Sequence, residues 1–75
     1  MNLYLLKLKD SPANPRWDYY SGHVVRAETS WKARRECPQG DEGDAWTDTD
    51  RVTVKRLASN VKGGEGVVLS SFHAG

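Results

Sequence analysis

The fold of this 75-residue chain is decided at residues 3–9, which read LYLLKLK. Tyr4, Leu6 and Leu8 alternate along one face, and the leucines between them make the other face partly apolar as well. A strand that is apolar on both faces is typical of a sheet interior. We therefore expect this first strand to lie between two others.

Alternation and turn residues predict the remaining strands. Apolar and polar side chains alternate at residues 23–28 and 51–57, and both stretches are interpreted as strands. Residues 66–72, GVVLSSF, follow a glycine-rich connection and are interpreted as the last strand. The short spacing between the first two strands favours an antiparallel hairpin. Residues 39–50 are interpreted as a polar loop, and the glycine-rich residues 63–66 as a hairpin turn between the last two strands.

One short helix fits between the second and third strands. Thr29 or Ser30 is a suitable N-cap, and the helix must end near Glu36 because Pro38 disfavours helical geometry in the residue before it. Two helical turns cannot cover a four-stranded sheet, and they leave its opposite face bare. The sequence thus predicts one α+β domain over residues 1–75, in the order β-β-α-β-β with a mostly antiparallel sheet. A second copy is the simplest cover for the bare face, so we expect a homo-oligomer.

Composition indicates a cytoplasmic protein that does not cross a membrane. A hydrophobic content of 37% is too high for a disordered tail, and no run of about 20 apolar residues is present. Lys7 and Lys9 interrupt the apolar start of the chain before a signal-peptide core could form. Cys37 is the only cysteine and cannot form an internal disulfide, so we interpret it as a buried apolar residue.

Charge is segregated along the chain. Residues 41–50 contain five of the ten acidic side chains and no Lys or Arg, so the rest of the chain carries eleven basic and five acidic side chains, a net charge of +6. That basic remainder also contains Trp17, Tyr19, Tyr20 and Trp31. Arginine together with aromatic rings is a combination that binds anionic planar ligands such as nucleotides.

The sequence favours binding over catalysis. Ser71 and His73 share a face of the last strand, but a Ser–His nucleophile would need an orienting acid and a glycine elbow, and neither is recognisable. His23, His73 and Cys37 lack the spacing of a zinc site. The carboxylates of residues 41–50 do not match a calcium loop. We expect no enzyme activity, no cofactor and no metal.

The order of these landmarks resembles a family of short phage and prophage proteins. The shared features are an opening strand at residues 3–6, an aromatic Trp-Asp-Tyr-Tyr cluster at 17–20, a strand-to-helix run at 24–34, a Trp-Thr-Asp element at 46–48 and a closing segment, GVVLSSFHAG, at 66–75. The chain departs from the family pattern at its proline-rich loop and at His73, where asparagine is common. Small phage proteins without catalytic motifs are often inhibitors of host defence. One such class consists of homo-oligomers whose basic, aromatic-lined pockets sequester nucleotide immune signals of the cyclic ADP-ribose type.

This resemblance implies a counter-defence protein that sequesters a nucleotide signal without catalysis. In that hypothesis arginine side chains bind phosphate, aromatic rings stack the base, and a hydroxyl and an imidazole line the end of the pocket. The predicted ligand-binding residues are Trp17, Tyr20, Arg26, Trp31, Arg34, Arg35, Ser71 and His73.

Other interpretations of the same residues stay open. The aromatic cluster at 17–20 is also suited to packing a loop over the sheet edge, and residues 31–35 to forming a solvated helix face or a subunit contact. A rival function is a protein inhibitor of the anti-CRISPR or anti-restriction type, in which residues 41–50 imitate the charge of nucleic acid. Direct binding of nucleic acid is disfavoured by a net charge of only +1.

Overall fold

The computed structural model describes residues 1–9, 18–38 and 45–74, with the side chains of these ranges except those of residues 18–19 and 72–74. The elements in chain order are β1 (Asn2–Leu8), β2 (Asp18–Ala27), α1 (Ser30–Glu36), a 3-10 turn (Ala45–Thr47), β3 (Val52–Ala58) and β4 (Gly66–Ala74). The predicted α+β class and the order β-β-α-β-β are confirmed.

The four strands form one antiparallel sheet in the order β3-β1-β2-β4. β1 lies in the interior, as its two apolar faces predict, and it forms the expected antiparallel pair with β2. Leu6 pairs with His23 on one side and with Val54 on the other, so these three residues share a face. β2 begins five residues earlier than the alternation from His23 predicted. It runs through Gly22 with a register shift between Tyr20 and Gly22.

The interpretation of residues 63–66 as a hairpin turn is wrong. β3 and β4 occupy opposite edges of the sheet, so the segment between them passes the ends of β1 and β2. The Val61 amide donates to the carbonyl of Met1 at 2.7 Å, and Arg26 Nε donates to the carbonyl of Gly64 at 2.8 Å. Gly63 has a φ of +118°, a backbone conformation that residues with a side chain rarely adopt. Glycine is therefore favoured at this point of the segment that crosses between β3 and β4.

α1 begins and ends where its caps predict. The Thr29 hydroxyl accepts a hydrogen bond from the Lys32 amide at 3.2 Å, and the helix ends at Glu36, two residues before Pro38. Ala33 and Cys37 are buried against the sheet. This narrow small-residue contact allows the short helix to lie close to the strands.

A buried tryptophan in the 3-10 turn covers more of the same face. Residues 39–50 were expected to form a polar loop, but Trp46 is fully buried, and its ring meets the ring of His23 edge-on with centroids 4.5 Å apart. The buried apolar core consists of Tyr4, Leu6, Val25, Ala27, Ala33, Cys37, Ala45, Trp46 and Val52. Among the elements that the structure describes, none packs on the opposite face of the sheet, which we call the open face.

Candidate functional site

Arg34 has a structural role in the fold. Its side chain was expected to point toward solvent and bind phosphate, but only 8% of the residue is exposed. Its guanidinium donates to the carbonyl oxygens of Trp46 at 3.2 Å, Val52 at 3.2 Å and Asp48 at 3.5 Å. These bonds tie α1 to the 3-10 turn and to the start of β3, so we remove Arg34 from the candidate ligand residues.

Trp31 and Arg35 are exposed on α1, on the covered side of the sheet. Arg35 borders a cleft of about 250 Å³ that it shares with Lys32, Glu36 and Glu65. Two carboxylates offset the two cations there, so the cleft offers little net attraction for a phosphate.

Tyr20 lies half-buried beside His23, with ring centroids 4.8 Å apart. His23 is itself fully buried and is hydrogen-bonded through Nδ1 to Ser70 Oγ at 2.7 Å. Tyr20 therefore extends the core cluster on the covered side. Arg26 and Ser71 alternate onto the open face, where Arg26 is held by its bond to Gly64.

Three of the earlier predictions fall wholly or partly outside the described residues. They concern Trp17, the side chain of His73, and residues 41–44 of the acidic segment. Asp48 and Asp50 are exposed, and Asp48 Oδ1 accepts a hydrogen bond from the Asp50 amide at 2.9 Å. The predicted residues that are described thus divide between the two sides of the sheet and do not form one pocket.

The open face contains a groove that the sequence did not reveal. Strand register places Lys55, Leu5, Val24 and Leu69 in one row across the sheet. The next row contains Thr53, Lys7, Gly22 and Ser71. Residues of both rows line a groove of about 640 Å³. Only Ser71 among the lining residues was predicted from the sequence.

Gly22 creates the depression in this surface. It stands between Lys7 and Ser71 and adds no side chain to the open face. A Cβ at this position would lie 3.1 Å from the Leu6 carbonyl oxygen and 3.7 Å from Lys7 Cγ, which is a close fit. A side chain at position 22 would crowd the Leu6 backbone, so glycine is favoured there, and the row keeps a position without a side chain between Lys7 and Ser71.

The groove has an apolar floor and a basic surround. Leu5, Val24 and Leu69 form the floor, and Leu69 is 66% exposed. Lys7 lines the groove from the next row, and Lys55 lies beside Leu5 at the end of the floor row. Among the described side chains that the strand register places on this face, no carboxylate opposes these cations. The combination suits an anionic ligand that also has an apolar or planar part.

Two further observations concern reactive groups and metals. Burial raises the pKa of the Cys37 thiol to about 12, although the nearby Arg34 guanidinium acts in the opposite direction. Cys37 Sγ donates to the Ala33 carbonyl at 3.4 Å, consistent with a packed, protonated thiol. Within the described ranges, no cluster of three or more His, Cys, Asp or Glu residues is arranged to hold a metal ion.

The helical segments in the described part of the chain are too short or too polar to span a bilayer. Comparison with known proteins found no matching family model, no matching curated protein and no matching solved structure. The groove therefore has to be interpreted from its own chemistry.

Proposed function

We propose that the protein binds a nucleotide-type anion in the open-face groove and sequesters it without catalysis. The observation that carries this proposal is the groove of about 640 Å³, with its apolar floor beside Lys7. This volume lies within the range of roughly 300–1,000 Å³ that small-molecule sites occupy. The resemblance to short phage proteins supports a counter-defence role in the host cytoplasm, with an immune signal of the cyclic ADP-ribose type as the ligand.

The groove divides the recognition of such a ligand into two parts. A base or ribose ring would bury apolar surface on Leu5, Val24 and Leu69, while the Lys7 ammonium would bind a phosphate oxygen. The Ser71 hydroxyl lies across the Gly22 gap from Lys7 and can donate to a second oxygen of the ligand. Sequestration requires only that these contacts be tight, so no catalytic group is needed.

Calorimetric titration with ADP-ribose, cyclic ADP-ribose and cyclic dinucleotides tests this proposal. We expect saturable binding of at least one of these ligands. The variant Lys7→Met keeps most of the apolar stem and removes the charge, and it should weaken binding about tenfold. Arg35→Met removes one charge from the opposite side of the sheet and is the matched control. It should bind as the unmodified protein does.

Two results would count against this assignment. Absence of any binding heat or thermal shift across the ligand panel would exclude the nucleotide ligand. Weakened binding in Arg35→Met together with unchanged binding in Lys7→Met would place the site at the helix.

A further inference from the structure

The two edge strands of the sheet differ in how well they are protected against pairing with another strand. β3 carries Lys55 and Arg56 side by side, and its pairing with β1 shifts register between Leu3 and Tyr4. Adjacent charges and irregular register are features by which proteins protect exposed sheet edges. β3 is therefore poorly suited to pair with a further strand.

β4, at the opposite edge, shares the irregular register, with shifts between Tyr20 and Gly22 and between Val24 and Val25, but it lacks the protective charges. Its nine residues, GVVLSSFHA, include no Lys, Arg, Asp, Glu or Pro. Its register with β2 skips Val68, but from Leu69 to Ala74 every residue of β4 has a partner. Long, uncharged edge strands are templates for pairing with another strand.

Exposed apolar side chains lie along the same edge. Val67, Val68 and Leu69 are consecutive, and they are 37%, 48% and 66% exposed. Val67 pairs with Val25 and Leu69 with Val24, so their side chains lie on opposite faces of the sheet beside this edge. Pairing along β4 would shield part of this apolar surface from water on both faces.

We propose that β4 is the surface through which two copies of this chain associate, by antiparallel pairing of their β4 strands into an eight-stranded sheet. A second copy suits this edge because an uncharged strand can lie beside itself without charge repulsion. Pairing two β3 edges would instead bring Lys55 and Arg56 of each copy together. A pairing with two-fold symmetry uses β4 once in each copy and leaves the charged β3 strands at the outer ends, so assembly stops at the dimer.

The dyad of such a pairing is perpendicular to the sheet, so the two open faces lie on the same side. The two grooves then run beside the shared edge, because Leu69 and Ser71 of β4 line each of them. Dimer formation does not require a bound ligand. Each groove lies within one copy, because residues of β1 and β2 line it together with those of β4. Either proposal can fail while the other stands.

The experiment compares two exposed apolar residues on opposite edges. Val68→Lys places a charge on β4, and Leu57→Lys places one on β3 at a residue of nearly equal exposure, 45% against 48%. Light scattering coupled to size exclusion, at about 0.1 mM protein, should give the unmodified chain twice the mass of 8.4 kDa. We expect Val68→Lys to be monomeric and Leu57→Lys to remain dimeric, both with unchanged circular dichroism.

Hydrogen exchange of the unmodified protein provides a test without any substitution. In the dimer the β4 amides are protected throughout residues 69–74, whereas in a monomer the amides on the outer edge exchange quickly. A monomeric unmodified chain, fast exchange at every second β4 amide, or dissociation by Leu57→Lys alone would overturn the proposal. Capture of a strand from a different protein by a monomeric chain would overturn it as well.

Discussion

Arg34 shows how one residue can connect three segments of a small fold. Its three hydrogen bonds reach carbonyl groups in the 3-10 turn, after it, and at the start of β3. Arg34→Met would remove the guanidinium donors to the buried carbonyls of Trp46 and Val52, whereas the Asp48 carbonyl keeps the Arg51 and Val52 amides. We therefore expect it to lower the free energy of unfolding by about 2–4 kcal/mol. Urea unfolding followed by tryptophan fluorescence measures the change. Arg35→Met, at an exposed neighbour, should change stability by less than about 0.5 kcal/mol. Equal effects of the two substitutions would contradict the role given to Arg34.

Cys37 makes stability depend on pH in the alkaline range. The pKa of its thiol rises from an ordinary 9.0 to about 12 on folding, so the unfolded chain loses this proton first. The stabilising contribution is complete below about pH 9 and is lost progressively as pH rises toward 12. We expect the stability advantage of the unmodified protein over Cys37→Ala to shrink between about pH 8 and about pH 10.5. A constant difference, measured by urea unfolding at each pH, would show that the thiol is equally easy to ionise in both states.

At the scale of single elements, α1 depends on its N-terminal cap. A seven-residue helix has little intrinsic stability, and Thr29 satisfies one of its otherwise unpaired amides. We expect Thr29→Ala to destabilise the protein by about 1 kcal/mol in urea unfolding. Ser30→Ala changes the exposed first helical residue and should have a much smaller effect. A larger loss of stability from Ser30→Ala than from Thr29→Ala would contradict the assignment of Thr29 as the N-cap.

Most elements were predictable from the sequence because their signals are local. The alternation in residues 3–9, the cap at Thr29 and the break at Pro38 each concern neighbouring residues, and each prediction was confirmed. Strand order is not a local property. The glycines of residues 63–66 suggested a hairpin, but β1 occupies the position beside β3, and the segment crosses to the other edge instead.

The site was harder to predict than the fold for the same reason. Arginine is a residue type that is usually exposed to solvent. Arg34 is nevertheless buried, because carbonyl groups distant in sequence converge on it. Trp46 lies within a polar stretch that gives no periodic signal of burial. The groove depends on Gly22 standing opposite Lys7 and Ser71, which only the strand register reveals.

At the scale of the whole molecule, the acidic and basic side chains are unevenly distributed over the sheet. Lys7 and Lys55 lie on the open face without a described carboxylate beside them, whereas the cleft at α1 contains Glu36 and Glu65. We expect nucleotide affinity to fall as NaCl rises from about 0.05 M to about 0.5 M, because salt screens exposed charges. Adenosine, which has no phosphate, should show no comparable salt dependence in the same calorimetric series. Equal salt dependence for both ligands would mean that the cations of the open face do not bind phosphate.

The central claim is that the functional surface is the open face of the sheet. Amide chemical shifts recorded during titration of ¹⁵N-labelled protein with ADP-ribose test it most directly. We predict that the shift changes cluster at residues 5, 7–8, 21–24 and 69–71, which line the groove. Changes confined to residues 31–36 of α1, or no changes at saturating nucleotide, would contradict it.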